Sequence, residues 1–369
     1  MEDYDDKNTQ SSTFSCTSCG ADLKYKPGTI NLKCDYCGAE NDIPQIDAAI
    51  EELDFNTYLD DKSKTSEQLS VHIVKCEDCG ASSTLDPKIK SASCPYCATP
   101  LIISSAHDEV MLQPKSLLPF KLERKDAQSE FRKWVIKLWF APSDLKKASL
   151  DFDHFKGIYI PYWTYDSDTS SSYTGQRGIY YYITETYTTT VNGKQVTKTR
   201  QVRKTRWYFV SGRVARFFDD VLTAASKSLP VKYIYALEPW DLESLVPFDE
   251  KYLSGFITEK YQIDLKEGFE IAKNIMAVVI RNDIRGDIGG NEQRIFQVGT
   301  SYKDITFKHI LLPVYVSAYR YKNKLFRFLV NARTGEVQGE RPVSWLKITF
   351  AAIVVLAIGI TIYYFANTQ

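Results

Sequence analysis

The residues with the strongest chemistry in this sequence are its eight cysteines, which all lie before residue 98 in four Cys-x-x-Cys pairs. Cys16 and Cys19 are followed after fourteen residues by Cys34 and Cys37, and Cys76 and Cys79 after fourteen residues by Cys94 and Cys97. The second set repeats the first sixty positions later, so the unit is duplicated. A Cys-x-x-Cys turn brings two thiolates onto one ion, and two such turns complete a tetrahedral site. Gly20, Gly38 and Gly80 follow three of the pairs and permit the tight backbone that the turn needs. Four thiolates leave no position for water or substrate, so the expected chemistry is structural: two zinc ions (Zn2+), one per unit. Units this small bury too little apolar surface to fold without the metal. Paired cysteines confined to one end of the chain also point to metal binding in a reducing compartment.

The spacers between the pairs read as short strands. They are Leu23-Lys24-Tyr25 and Ile30-Asn31-Leu32 around Pro27-Gly28, then Ser83-Thr84-Leu85 and Ile89-Lys90. Residues 14–42 and 74–103 resemble the zinc ribbon family, of the TFIIB-like kind. Cys94-Pro95-Tyr96-Cys97 also resembles a rubredoxin knuckle, which leaves iron as the alternative occupant. Ribbons often bind nucleic acid, but the charge here opposes it. Residues 1–61 hold fourteen Asp or Glu and four Lys, a formal −10. Four thiolates around a zinc ion add two more negative charges, and phosphates would be repelled. The second ribbon is near neutral. Protein binding is the more natural role.

Apolar Ile46, Ala49, Ile50 and Leu53 recur at helical spacing, so a short amphipathic helix is expected through Gln45–Asp60, with a polar stretch after it. Beyond residue 108 the pattern predicts a β-rich domain. Leu117-Leu118-Pro119-Phe120 reads as a strand, Arg124–Phe140 as a helix with Phe131, Trp134, Val135 and Leu138 on one stripe, and Gly157–Trp163 as a second strand. Ile179–Val191 and Lys194–Val210 are β-rich runs joined by Asn192-Gly193, the preferred type I′ turn. That turn places Glu185 opposite Arg200, Ile183 opposite Val202, Tyr181 opposite Lys204 and Tyr182 opposite Arg203. Residues 194–216 hold eight Lys or Arg and no acid, so this hairpin is either a basic arm or a solvated edge protected by charge. Lys266–Ile284 reads as a helix, the stretch from Asp283 to Gly290 as a loop, and Ile310–Tyr321 with Leu325–Asn331 as paired strands. Phe155–Pro161 echoes Phe307–Pro313 at four identical positions, which hints at two related sheet halves.

Nothing in the chain carries a catalytic signature. There is no Gly-x-x-x-x-Gly-Lys-Ser/Thr loop, no Gly-x-Gly-x-x-Gly before a helix and no Gly-x-Ser-x-Gly elbow. His72, His107, His154 and His309 stand singly, and Asp151-Phe152-Asp153-His154 reads as a surface cluster. No cysteine is left over as a nucleophile. The expectation is a protein that is not an enzyme.

Leu346–Phe365 is a span of twenty residues, eleven of them Leu, Ile, Val or Phe. Twenty helical residues cover about 30 Å, the hydrocarbon thickness of a bilayer. At about −0.3 to −0.6 kcal/mol for each large apolar residue, insertion gains roughly 3 to 7 kcal/mol. Arg341 and Lys347 flank one side and no charge flanks the other, so the positive-inside rule keeps residues 1–345 in the cytoplasm. The acidic opening Met1-Glu2-Asp3-Tyr4-Asp5-Asp6 is unlike a signal peptide. The expected localisation is the inner or plasma membrane, with one C-terminal anchor.

The chain therefore reads as α+β: ribbon 1 over 1–44, a helical and flexible linker over 45–73, ribbon 2 over 74–107, an antiparallel α+β domain over 108–345 and a transmembrane helix over 346–365. This layout, with Leu117–Phe120, Ile160-Pro161-Tyr162-Trp163 and the run Val330–Pro342, resembles a bacterial family of TFIIB-type zinc-ribbon membrane proteins, the YdjG-like family. The resemblance implies a partner of membrane-surface scaffold proteins, of the SPFH or PspA type, in envelope maintenance. Members are often labelled relatives of the PriA helicase, a likeness of the ribbons alone, since this chain has no ATPase motif. The alternative is a membrane-held nucleic-acid-binding protein that uses ribbon 2 and the basic 194–216 strand.

Overall fold

Three strands of unusual length form the spine of the molecule, and everything else is placed by them. In the computed structural model the described residues are 14–45, 49–60, 68–84, 92–143, 155–191, 193–321, 324–341 and 343–367. Strands β1 (Leu23–Tyr25), β2 (Asn31–Cys34) and β3 (Glu40–Asp42) make a small antiparallel sheet around the first two cysteine pairs. β4 (Leu53–Asp54) and helix α1 (Phe55–Asp60) follow. β5 (Gln68–Lys75), β6 (Ser82–Thr84) and β7 (His107–Leu112) form a second small sheet in the order β6-β5-β7. After β8 (Ser116–Leu117) and α2 (Arg124–Lys137) come the long strands β9 (Lys156–Val191) and β10 (Lys194–Ala224). Then follow α3 (Val231–Tyr235), β11 (Val246–Pro247), β12 (Ile257–Thr258), α4 (Leu265–Ile288), β13 (Glu292–Tyr321), β14 (Lys324–Asn331), β15 (Val337–Gly339) and α5 (Trp345–Asn367). The main sheet has nine strands along the path β10-β9-β13-β14-β15, with β4, β8, β11 and β12 paired beside it. The architecture is α+β with a β-rich core.

The sequence echo has a structural meaning. Phe155–Pro161 and Phe307–Pro313 lie side by side in β9 and β13, and Ile160 faces its own counterpart Leu312. A local two-fold passes between them. Ile158 takes Ile257 of β12 as a parallel neighbour, and its counterpart Ile310 takes Ser116 of β8. Each helix begins eight positions after its short strand does, Ser116 to Arg124 and Ile257 to Leu265. The halves are therefore β8–α2–β9–β10 and β12–α4–β13–β14, and each half's short strand is hydrogen-bonded to the other half's long one.

Both main helices obey their apolar stripes. In α2 the backbone N–H of Glu123 donates to Asp126 at 3.1 Å, and Ala127, Phe131 and Val135 are buried. In α4 Asp264 caps the start by accepting from the Glu267 N–H at 2.7 Å. Leu265, Gly268, Phe269, Ala272, Met276, Ile280, Ile284 and Ile288 then face the sheet. The start of α4 is held by two strand residues: Trp163 Nε1 donates to the Ile263 carbonyl at 2.9 Å and the Tyr165 hydroxyl to that of Leu265 at 2.7 Å.

Two expectations need correction. The stretch from Asp283 to Ile288 is the last turn of α4, not a loop. Its carboxylates are unfavourable at a helix C-terminus, but Arg216 donates to both oxygens of Asp283 (2.6 and 2.8 Å) and the Tyr173 hydroxyl donates to Asp287 at 2.6 Å. Gly289, with φ of 63°, ends the helix. Among the described residues of 45–60 the helix is Phe55–Asp60, because Leu53 and Asp54 instead extend the edge of β13 at Phe307 and Thr306. Phe55 then packs against Phe269, Tyr165 and Phe307. Ile46 and the Asp151–His154 cluster lie outside the described residues.

The hairpin register is as expected: Glu185 faces Arg200, Ile183 faces Val202, Tyr181 faces Lys204 and Tyr182 faces Arg203. Its strands are far longer than the local pattern indicated. β13 supports β9 as far as Gly178, and Ile179–Val191 continues as a two-stranded arm. At about 3.3 Å per residue those thirteen residues project roughly 40 Å. α5, through Trp345–Ala366, is the one helix among the described residues that is long and apolar enough to cross a membrane, and none of its most apolar window is buried.

Candidate metal centres

Each Cys-x-x-Cys folds into the same turn. The first cysteine's N–H takes the carbonyl five residues on, as in Cys16 to Ala21 and Cys94 to Thr99 (both 2.8 Å), and its own carbonyl accepts from the residue after the second cysteine. Gly20, Gly38 and Gly80 hold that last position at φ of 75–76°. The fourth turn has Ala98 there at φ of 61°, a left-handed conformation that costs an L side chain about 1 kcal/mol. The turn geometry is thus kept even where glycine is absent.

The turns close in pairs. Cys16 Sγ lies 3.6 Å from Cys37 Sγ and Cys19 Sγ 3.5 Å from Cys34 Sγ. Cys76 to Cys97 and Cys79 to Cys94 are both 3.5 Å. Within each set of four, all sulfurs lie within 4.8 Å of one another. The sulfurs are too far apart for a disulfide and close to the ~3.8 Å edge of a tetrahedron with metal–sulfur bonds of about 2.3 Å. The donor set therefore fits a thiophilic ion at both positions. The Ser18 N–H, 3.4 Å from Cys16 Sγ, holds that thiol down at about 6. The hydrogen bond with Cys94 holds Cys79 at about 5. A thiolate is thus present in each set at neutral pH, as metal binding requires.

The two sets differ in shelter. Cys19 and Cys37 are exposed, whereas Cys76, Cys94 and Cys97 are buried and Cys79 is half-buried. Both units are keyed into the body. In the first, the Tyr25 ring packs edge-on to Tyr252 at 5.1 Å, its hydroxyl donates to the Thr29 carbonyl at 2.7 Å, and the Gly28 N–H donates to the Phe120 carbonyl at 2.8 Å. In the second, Tyr96 sits between Cys94 and Cys97 in sequence and is fully buried. Its hydroxyl donates to Glu259 Oε2 at 2.7 Å. Lys156 Nζ donates to the Ser93 carbonyl at 2.8 Å, and Thr84 Oγ1 to the Thr258 carbonyl at 3.0 Å.

Glu259 was not visible as a site residue, since it belongs to no motif and its contact with Tyr96 spans 163 positions. Its carboxylate is fully buried and also accepts from Ser226 (2.8 Å) and Ser228. Burial pushes the carboxyl up to about 7, against hydrogen bonds that pull it down. The neutral form is therefore favoured in the folded state. Its stabilisation is fully present below pH ~4.5 and is lost as pH rises through 7. Glu259→Gln should raise stability at pH 8, and its advantage over Glu should grow by about 2 kcal/mol between pH 5 and pH 8. Thermal unfolding across that range measures it; a constant difference would refute the assignment.

A third acidic group, Asp166 with Asp219 and Asp220, also has the spacing for a metal ion. Two bulges, marked by Asp220 and Asp304 at positive φ, bring it together. A protein cation already lies there. Lys308 Nζ is 2.7 Å from Asp220 Oδ1 and 2.8 Å from Glu52 Oε1. Burial works against the ammonium charge, but these bonds outweigh it and raise Lys308 to about 12. Burial, with Glu52 beside it, pushes Asp166 up to about 6. The echo runs through this pair too: Lys156 and Lys308 are counterparts, and each ties the N-terminal region to the sheet. Of the histidines, His72 and His107 pair at 2.8 Å with Asp108 and Glu109, and His309 is buried behind Trp163. His154 lies outside the described residues.

Fold and centres together define an α+β protein with two four-cysteine clusters that could each hold a metal ion, and one apolar helix long enough to cross a membrane. No family model matches the chain, and no solved structure matches it. It is similar to YdjG of Bacillus subtilis (strain 168), an uncharacterized protein, with 24% identity over 338 residues covering 91% of this chain and 92% of that one. That likeness agrees with the YdjG-like resemblance of the sequence.

Proposed function

We propose that the protein is a non-enzymatic, membrane-anchored adaptor. α5 crosses the membrane with the body on the cytoplasmic side. The two centres are zinc ribbons of the TFIIB-like kind, each holding one structural zinc ion. The surface they build with the sheet binds a scaffold protein at the membrane surface, of SPFH or PspA type. The observation that carries this reading is that both four-sulfur clusters are keyed into one body whose apolar helix has none of its span buried. Four thiolates per ion leave the metal no open position, so its work is to hold a surface.

The test is a crosslinking pull-down from membranes with the intact protein and with Cys76→Ser. A scaffold protein captured by the intact chain, resistant to nuclease and lost with Cys76→Ser, supports the adaptor. Equal capture by both would exclude a role for the second ribbon.

One observation favours a second reading, a membrane-held nucleic-acid-binding protein. On the exposed arm Arg203 stacks over Tyr180 at 4.2 Å and Arg206 over Tyr181 at 5.0 Å, a surface that suits bases and phosphates. Against it, Glu185 pairs with both Arg200 and Lys204. DNA binding that weakens steeply with salt and nuclease-sensitive co-purification would decide for this reading.

A further inference from the structure

The end of α2 and the turn after it carry large apolar side chains that a water-exposed surface does not need. Ile136, Trp139 and Phe140 are 64%, 75% and 43% exposed. They stand beside the root of α5, which the chain fixes in place. The Ser344 N–H donates to the Phe140 carbonyl at 2.8 Å, and Lys347 Nζ donates to the Ala141 carbonyl at 2.7 Å. Between the two elements runs an open groove of about 470 Å³, lined by Ile136, Lys137, Trp139, Leu346, Lys347 and Phe350. Four of these are apolar, two are cations and none is an acid.

We propose that this groove binds an anionic phospholipid of the leaflet that faces the body. The inference rests on α5 being a membrane span. Continuity carries it: one wall of the groove is the first turns of α5, so the groove lies at the depth where headgroups meet hydrocarbon. Trp139 and Trp345 are the residue type enriched at that depth. Ile136, Trp139 and Phe350 offer an acyl-chain surface, and the exposed Lys137 offers a phosphate contact. Charge selects the lipid, because both charged groups lining the groove are cations. The lipid would seat the body at a set angle on the bilayer, so the two cysteine centres would be held at a defined height.

The test uses the full-length protein in vesicles of phosphatidylcholine, with and without a minor fraction of phosphatidylglycerol. Alkaline extraction comes first. If it strips the protein, α5 is not a span and both readings fall. For protein that stays inserted, native mass spectrometry should show phosphatidylglycerol retained in preference to phosphatidylcholine. Lys137→Ala should lower that retention about fivefold, the effect of one surface cation. Trp139→Phe should remove a component of tryptophan fluorescence that lipids brominated near the glycerol backbone quench. Equal retention of the two lipids by inserted wild-type protein, or a quenching profile unchanged by Trp139→Phe, overturns the proposal. So does a crosslinked dimer through the groove, which would assign it to a second copy.

Discussion

Cys76→Ser should cost the protein far more than one four-cysteine unit. A closed four-thiolate zinc site contributes an apparent 10–16 kcal/mol of folding free energy at neutral pH. With the proposed zinc ion bound, that energy would not be confined to a small module. Cys76, Cys94, Tyr96 and Cys97 share one apolar core with Leu118, Ile158, Ile160 and Ile310 of the main sheet. Removing a ligand opens the turn that positions Tyr96, and Glu259 then loses a buried hydrogen bond. The expected result is one metal ion per chain instead of two, by elemental analysis, and a large fall in the unfolding temperature of the whole body in detergent. Exposure ranks the centres. A chelator should strip the first, with Cys19 and Cys37 exposed, well before the second. Intact protein purified with no bound metal at all, yet equally stable, would remove the basis for both centres.

The second large effect is expected at Lys308. Its ammonium is 8% exposed and touches Glu52 and Asp220, with Asp166 adjacent. Lys308→Met preserves much of the volume and leaves three carboxylates facing one another without a cation. Glu52 and Asp220 are 40% and 28% exposed, so water screens them and the cost of losing the cation should be about 1–3 kcal/mol, below that of a fully buried pair. The sign of its pH dependence follows from Asp166, which titrates near 6 in the folded state. Lys308 holds Asp166 down, so in the variant that carboxyl titrates higher still: at pH 8 the charges repel, and as pH falls they take up protons and the penalty shrinks. Chemical unfolding of the variant should therefore show a smaller deficit at pH 5 than at pH 8. Adding Glu52→Gln should recover part of it. A deficit independent of pH would mean that packing alone was lost.

What was legible in the sequence was what short-range chemistry dictates. The cysteine spacing delivered both clusters, and Asn192-Gly193 delivered a register accurate to the residue. The stripe of α2 delivered its buried face; in α4 the periodicity gave the helix, but its buried face runs through Phe269, Ala272, Met276, Ile280 and Ile284 and leaves Ile275 exposed. What was not legible depends on partners far along the chain. The first half of β13 carries Gln293, Arg294, Gln297, Thr300, Ser301 and Lys303, polar side chains in both phases of the strand. It is a strand because β9 lies beside it, and no local pattern announces that. Glu259 and Lys308 were missed for the same reason. The motifs that carried the family resemblance prove to be fastenings: Arg333 binds Asp241 at 3.0 Å and the Pro119 carbonyl at 3.0 Å, and Asn331 Nδ2 donates to the Leu237 carbonyl at 2.9 Å. Trp163 fastens the start of α4 in the same way.

The exchange of opening strands between the two halves sets a timetable for biosynthesis. β8 can pair with Val246 and Pro247 of β11 once they are made, but its other edge has no partner until Ile310 has been made, and Ile158 must wait for Ile257. Neither half can close as it leaves the ribosome, so folding is postponed until nearly the entire body has been translated. Contacts of such long sequence separation form slowly. During that interval the edge of β9 that β13 later covers is open to other nascent chains, and early engagement by chaperones should matter more to this protein than to one whose halves mature in turn.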